Sequence, residues 1–153
     1  MYSDEHPEVD VYGDRDGLLA LANATRQSDA LELALDEPPT AWQGSTHPLL
    51  SIKVTPTTTG DTRISFARVR LTFVICGSSN ELARVIGASI ASLADGPAKT
   101  NGVGSHLHLD PTSDPDKQVY APDSISAIGL TLFWPAYFGA EPCVGSNTAT
   151  VSP

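Results

Sequence analysis

The sequence predicts an α+β fold. Two βαββ units follow one another and together form a mainly antiparallel sheet of about six strands with two helices packed on one face. Three observations lead there. Several short stretches alternate polar and apolar residues, as half-buried strands do. Two longer stretches place apolar residues at helical spacing. Finally, Tyr12-Gly13 followed by Leu18 recurs 64 positions later as Cys76-Gly77 followed by Leu82. Each of these turns launches a helix from a strand end, so the repeats read as residues 8–56 and 63–134 of one domain spanning 1–135.

The elements follow in order. Glu8-Val-Asp-Val-Tyr12 alternates and reads as a strand. Gly13 to Gly17 punctuates it, and Asp14 or Asp16 offers a helix cap. Leu18, Leu19, Leu21 and Ala22 give an apolar stripe that runs to about Ala24. Leu31, Leu33 and Leu35 alternate with Glu32 and Ala34 as a strand. Asp36 to Pro48 holds Pro38, Pro39 and Pro48 and reads as a loop. Leu50 to Thr55 is a further strand, closed by a turn over Pro56 to Thr62. Arg63 to Cys76 is the longest strand-like stretch, and its phase changes between Phe66 and Val69, which predicts a bend or bulge. Gly77 to Asn80 ends it and supplies a cap. Leu82, Val85, Ile86, Ile90 and Leu93 make the clearest helix, stopped by Gly96-Pro97. Ser105 to Asp110 and Ser124 to Trp134 are the last strands, separated by a Pro- and Asp-rich loop. Ser124 stands where it can cap or orient the chain, and Trp134 closes the core. Residues 136–153 read as a flexible tail.

The chain has 153 residues, with 9 Lys+Arg against 18 Asp+Glu and a formal net charge of −9. With 41% hydrophobic residues it can bury a core. The acidity speaks against nucleic acid, whose phosphates are met by Lys and Arg, and against an anionic membrane surface. It leaves open a basic protein partner, since opposite charge speeds encounter. No apolar run approaches the roughly 18 residues of a membrane span, and Met1 to Glu8 lacks the basic start and apolar run of a secretory signal. The two cysteines, Cys76 and Cys143, have no CxxC spacing and read as reduced thiols in a cytoplasmic protein, with a bridge between them as the alternative.

The most distinctive string is Gly104-Ser-His106-Leu-His108-Leu-Asp110. On a strand, His106, His108 and Asp110 share one face while Leu107 and Leu109 take the other. Two imidazoles and a carboxylate are ligand types that Zn²⁺ or Fe²⁺ accepts. However, positions 106 and 110 lie about 13 Å apart along a strand, so a metal would need His106, His108 and a ligand from elsewhere. Otherwise the strand simply carries histidines on its polar face. Asp110, Asp114, Asp116 and Asp123 then face one base, Lys117, in a loop without the glycine and terminal Glu of a calcium site. It is either a solvated loop or an anionic patch for a basic partner. The chain has no GxSxG elbow and no phosphate-binding GxxxxGK[ST]. Gly102-Val-Gly104 leads into a strand rather than out of one, so it is not a dinucleotide turn.

Val9-Asp-Val-Tyr-Gly-Asp-Arg-Asp-Gly-Leu18-Leu-Ala-Leu-Ala22 and His106-Leu-His108-Leu-Asp110, followed by Asp123-Ser124 and an apolar strand, resemble the opening and closing of the immunity protein 32 family of bacterial polymorphic toxin systems. The resembling pieces cover about a third of the chain. The long Asp36–Pro48 loop and the tail depart from the family's compact pattern. The resemblance implies a cytoplasmic, non-enzymatic α+β protein that binds and neutralises a cognate toxin and needs no cofactor. With the acidity, it makes His106, His108, Asp110, Asp114, Asp116 and Asp123 the expected partner-binding residues. The alternatives are a metal-binding module or metal-dependent enzyme built on the His106/His108 pair, and a homodimeric structural or regulatory protein that pairs through the open sheet face.

Overall fold

Two side chains start the two helices in the same way. Asp14 Oδ1 accepts a hydrogen bond from the Gly17 amide at 2.8 Å, and Ser78 Oγ accepts one from the Glu81 amide at 3.3 Å. Each satisfies an amide that the first helical turn leaves without an intrahelical partner. The caps are 64 positions apart, and so are the amides they hold.

The computed structural model describes residues 2–3, 8–36, 46–58, 63–96, 105–110, 120, 124–125, 127–132 and 150–151. In chain order the elements are β1 (Tyr2–Ser3), β2 (Glu8–Gly13), α1 (Arg15–Ala24), β3 (Leu31–Ala34), β4 (Thr46–His47), β5 (Ser51–Thr57), β6 (Ser65–Val69) and β7 (Thr72–Ser78). The second helix then runs as α2 (Ser79–Glu81), a π-helical segment (Leu82–Gly87) and α3 (Ala88–Ala94). β8 (His106–Leu109), β9 (Ala127–Leu132) and β10 (Thr150–Val151) complete it. The class is α+β, as the periodicity predicts.

The sheet is not single. One sheet has the order β4-β1-β2-β9-β8 and a second has the order β10-β3-β5-β7-β6. Both are mixed, because β2 pairs parallel with β9 and β5 pairs parallel with β7, while the other pairs are antiparallel. The expected sheet of about six strands divides because the hairpin after each helix joins the sheet that does not contain the strand before that helix. Of the β3–β5 hairpin that follows α1, β5 pairs with β7 rather than with β2. Of the β8–β9 hairpin that follows the second helix, β9 pairs with β2. Periodicity marks a strand but does not say which neighbour a crossover returns it to.

The two sheets share a register. Leu31 lies opposite Val54 in one hairpin, and Leu107 lies opposite Leu130 in the other. Ser51 lies opposite Thr72, and Ala127 opposite Glu8. Moving the hairpins by 76 positions and the helix-leading strands by 64 therefore reproduces both sets of pairings.

Four boundaries differ from the sequence reading. The bend expected within Arg63–Cys76 is a tight hairpin, with Val69 paired to Thr72 across Arg70 and Leu71. Arg70 takes φ 59°, the left-handed conformation that a two-residue turn requires, in a sequence without the usual Asn-Gly signal. β5 runs through Pro56 to Thr57, past the expected turn. Pro56 is tolerated because β3 has already ended opposite Val54, so the missing donor breaks no pair on that side. Finally, Thr46–His47 within the expected loop pairs with β1, and Thr150–Val151 within the expected tail pairs with β3. The rest of 136–153, together with Cys143 and Trp134, lies outside the described residues.

One apolar cluster joins both sheets and both helices, with Val9, Leu18, Ile52, Phe73, Ile86 and Leu130 among its members. Phe66 packs against Phe73 and Tyr120, with ring centroids 6.1 and 5.5 Å apart. Ser124 ties the chain before β9 to β6. Its Oγ accepts from the Phe66 amide at 3.3 Å and donates to the Ile64 carbonyl at 3.5 Å.

Candidate functional site

β8 alternates as its sequence dictates. Leu109 is buried and Leu107 half-buried, while His106 and His108 are exposed. The two rings meet edge to face with centroids 5.4 Å apart. Asp110, half-buried and two residues further on, continues the same alternation. Asp114, Asp116, Asp123 and Lys117 lie outside the described residues. Three of the six expected partner-binding residues are thus placed, two on β8 and one just past its end.

Pairing through β9 adds residues that the sequence reading missed. Gly129 stands opposite His108 on one side and Asp10 on the other. A Cβ at Gly129 would collide with Asp10 Oδ1 and would lie 3.7 Å from His108 Cε1. The carboxylate of Asp10 therefore leans over the bare glycine backbone toward the imidazole. The next row runs His106, Thr131, Tyr12. Val9 and Val11 point into the core, which turns Asp10 and Tyr12 to the outer face. The Tyr12 hydroxyl titrates above its ordinary range. Burial is the larger cause, because it disfavours the phenolate, and the negative charge of Asp10 adds to it. The signal for Asp10 and Tyr12 was present as the polar half of Glu8-Val-Asp-Val-Tyr12. What was absent was the pairing with a strand more than a hundred positions away.

The corresponding row of the second sheet is Glu32, Lys53, Val74. It has no histidine, and Glu32 Oε1 is engaged by Ser51 Oγ at 2.6 Å. The histidine–carboxylate–tyrosine grouping therefore belongs to one sheet alone. Among the described residues no group of three or more His, Cys, Asp or Glu side chains is arranged to hold a metal ion, so the His106/His108 pair has no third ligand there. Cys76 is a half-buried free thiol on the second sheet.

Fold and face together define an α+β protein of two mixed sheets with a polar, histidine-bearing outer face on one of them. Comparison with family models, curated proteins and solved structures finds no match. Among the described residues, no helix is long and apolar enough to cross a membrane.

Proposed function

We propose that this protein is a cytoplasmic immunity protein, similar to the immunity protein 32 family, that binds a cognate basic toxin and neutralises it by surface complementarity. The observation that carries the reading is the outer face of β2, β9 and β8. There the exposed His106 and His108 stand beside Asp10 across Gly129, on the side of the sheet away from the core. Such a face can recognise a partner without any catalytic group. The net charge of −9 favours encounter with a basic surface and suits a toxin whose own cleft binds nucleic acid. The acidic positions Asp110, Asp114, Asp116 and Asp123 extend the same sign of charge along the chain beyond β8.

The protein is further read as two copies of one βαββ unit that have exchanged their hairpins. The equivalent caps at Asp14 and Ser78 and the shared registers of the two sheets support this. On that reading the core is the common inheritance of both halves, and the histidine face is the part in which they diverged.

Growth rescue tests the function. The protein encoded immediately upstream is expressed inducibly in a bacterial host, with and without this chain. The proposal expects killing that this chain relieves, and relief that fails when His106 and His108 are both changed to alanine. A harmless upstream product, or killing that persists with the wild-type chain, overturns it.

A further inference from the structure

β8 ends its sheet, and its hydrogen bonding fixes what that end presents. The Ser105 carbonyl accepts from the Leu132 amide at 2.9 Å, so positions 105, 107 and 109 direct their backbone groups toward β9. By alternation, the N–H and C=O of His106 and His108 turn to the outer edge. Among the described residues no strand lies on that edge. The equivalent edge of the second sheet belongs to β3, 76 positions earlier, and there the chain seats a strand of its own: Thr150 opposite Ala34 and Val151 opposite Leu33. The fold thus already accepts an added antiparallel strand at the counterpart of β8.

From this we infer that the edge of β8 takes up a basic extended segment of the partner as an added antiparallel strand. The inference rests on the reading of the chain as a partner-binding protein and names how the partner docks. Main-chain bonds to His106 and His108 would supply affinity, and side chains at alternate positions would supply selectivity. Those alternate positions come to lie beside the two imidazoles, on the face that carries Asp10 and is continued by Asp110, which is where lysine or arginine is favoured. A second copy of this chain is the poorer occupant. Its own C-terminal strand, Thr150–Val151, is already held on β3, and two bodies of charge −9 repel each other.

The probe is a capped hexapeptide that alternates lysine with valine, titrated into the isotopically labelled protein and followed by amide NMR. The proposal expects saturable shifts centred on the His106 and His108 amides and slowed exchange of both. It also expects at least a tenfold loss of affinity when alternate peptide amides are N-methylated, or when glutamate replaces lysine. His108→Pro removes an outward N–H and leaves the bonds from 107 and 109 to β9 intact, so it is expected to weaken binding tenfold or more. His108→Thr loses the same imidazole but keeps the donor, and is expected to bind the peptide severalfold more tightly than His108→Pro. If His108→Pro fails to fold, the N-methylated peptide decides the question alone.

Equal binding of the N-methylated peptide, shifts centred on another strand, or no binding at millimolar peptide would overturn strand addition. A dimer in which both amides are already protected before peptide is added would assign the edge to a second copy, and that also overturns it. Rescue of growth without peptide binding removes only this docking mode, whereas peptide binding without rescue removes only the toxin as partner.

Discussion

Gly87→Ala is the sharpest test of the helix packing. Gly87 closes the π-helical segment where the second helix meets α1. A Cβ there would fall on Thr25 Oγ1 and lie 3.2 Å from the Ala22 carbonyl oxygen. Thr25 cannot simply swing aside, because it is completely buried and its hydroxyl donates to the Ala22 carbonyl at 2.7 Å. In an open helix, alanine for glycine would gain about 1 kcal/mol. Overpacking a filled site costs about 1–3 kcal/mol. The contact therefore decides the sign, and the expected net effect is a loss of about 1 kcal/mol, or roughly 2–4 °C in Tm for a chain of this size. Thr25→Ala removes both the hydroxyl and its bond, at about 1 kcal/mol. In the double variant the clash is relieved, so the two losses do not add, and a favourable coupling of about 1–2 kcal/mol is expected. Urea denaturation followed by circular dichroism measures all three variants. A Gly87→Ala protein that is more stable than wild type, or two effects that simply add, would refute the close approach.

Further outcomes follow from the same geometry. Asp14→Ala and Ser78→Ala should each cost about 1 kcal/mol of stability, and by similar amounts because each removes an equivalent cap. Thermal melts check this. The raised pKa of Tyr12 means that the folded chain holds its phenolic proton more tightly than the unfolded chain, whose value is near 10.0. That contribution is complete below pH 10 and is lost as pH rises through the folded-state value. Ultraviolet titration of wild type against Tyr12→Phe isolates the group. In the same titration, Asp10→Asn should lower its pKa only partway, because burial is the larger cause. Gly129→Ala should displace the Asp10 carboxylate from above the glycine and change stability by under about 1 kcal/mol, since the atom in the way is the end of a side chain. Partner binding should nevertheless weaken, as calorimetry with the purified toxin would show. Removing the exposed ion pair between Arg15 and Asp95, 2.9 Å apart, should cost no more than about 1 kcal/mol, and less at high salt.

Local structure was largely legible in the sequence. The cap at Ser78, the apolar stripes of both helices and the alternation that turns His106 and His108 away from Leu107 and Leu109 all follow from residue type and spacing. Long-range pairing was not legible. Nothing in Glu8 to Gly13 announces that its parallel neighbour is Ala127 to Leu132, so the single expected sheet became two and Asp10 and Tyr12 went unnoticed as companions of the histidines. The Arg70-Leu71 turn escaped because arginine there adopts a conformation usually marked by glycine or asparagine. It left only a break in phase. The recurrence of Gly13 as Gly77 gave the correct offset between the helix caps, but it did not reveal which sheet the hairpin after each helix joins.

Calorimetric titration of the purified upstream toxin with wild type and with the His106→Ala/His108→Ala variant tests the central claim most directly. Both side chains are exposed, so stability should hold within about 0.5 kcal/mol, and a melt run alongside confirms it. The account predicts a loss of at least about 2 kcal/mol in binding, roughly thirtyfold, as expected when residues at the centre of an interface are truncated. Binding of the folded variant as tight as that of wild type would contradict it.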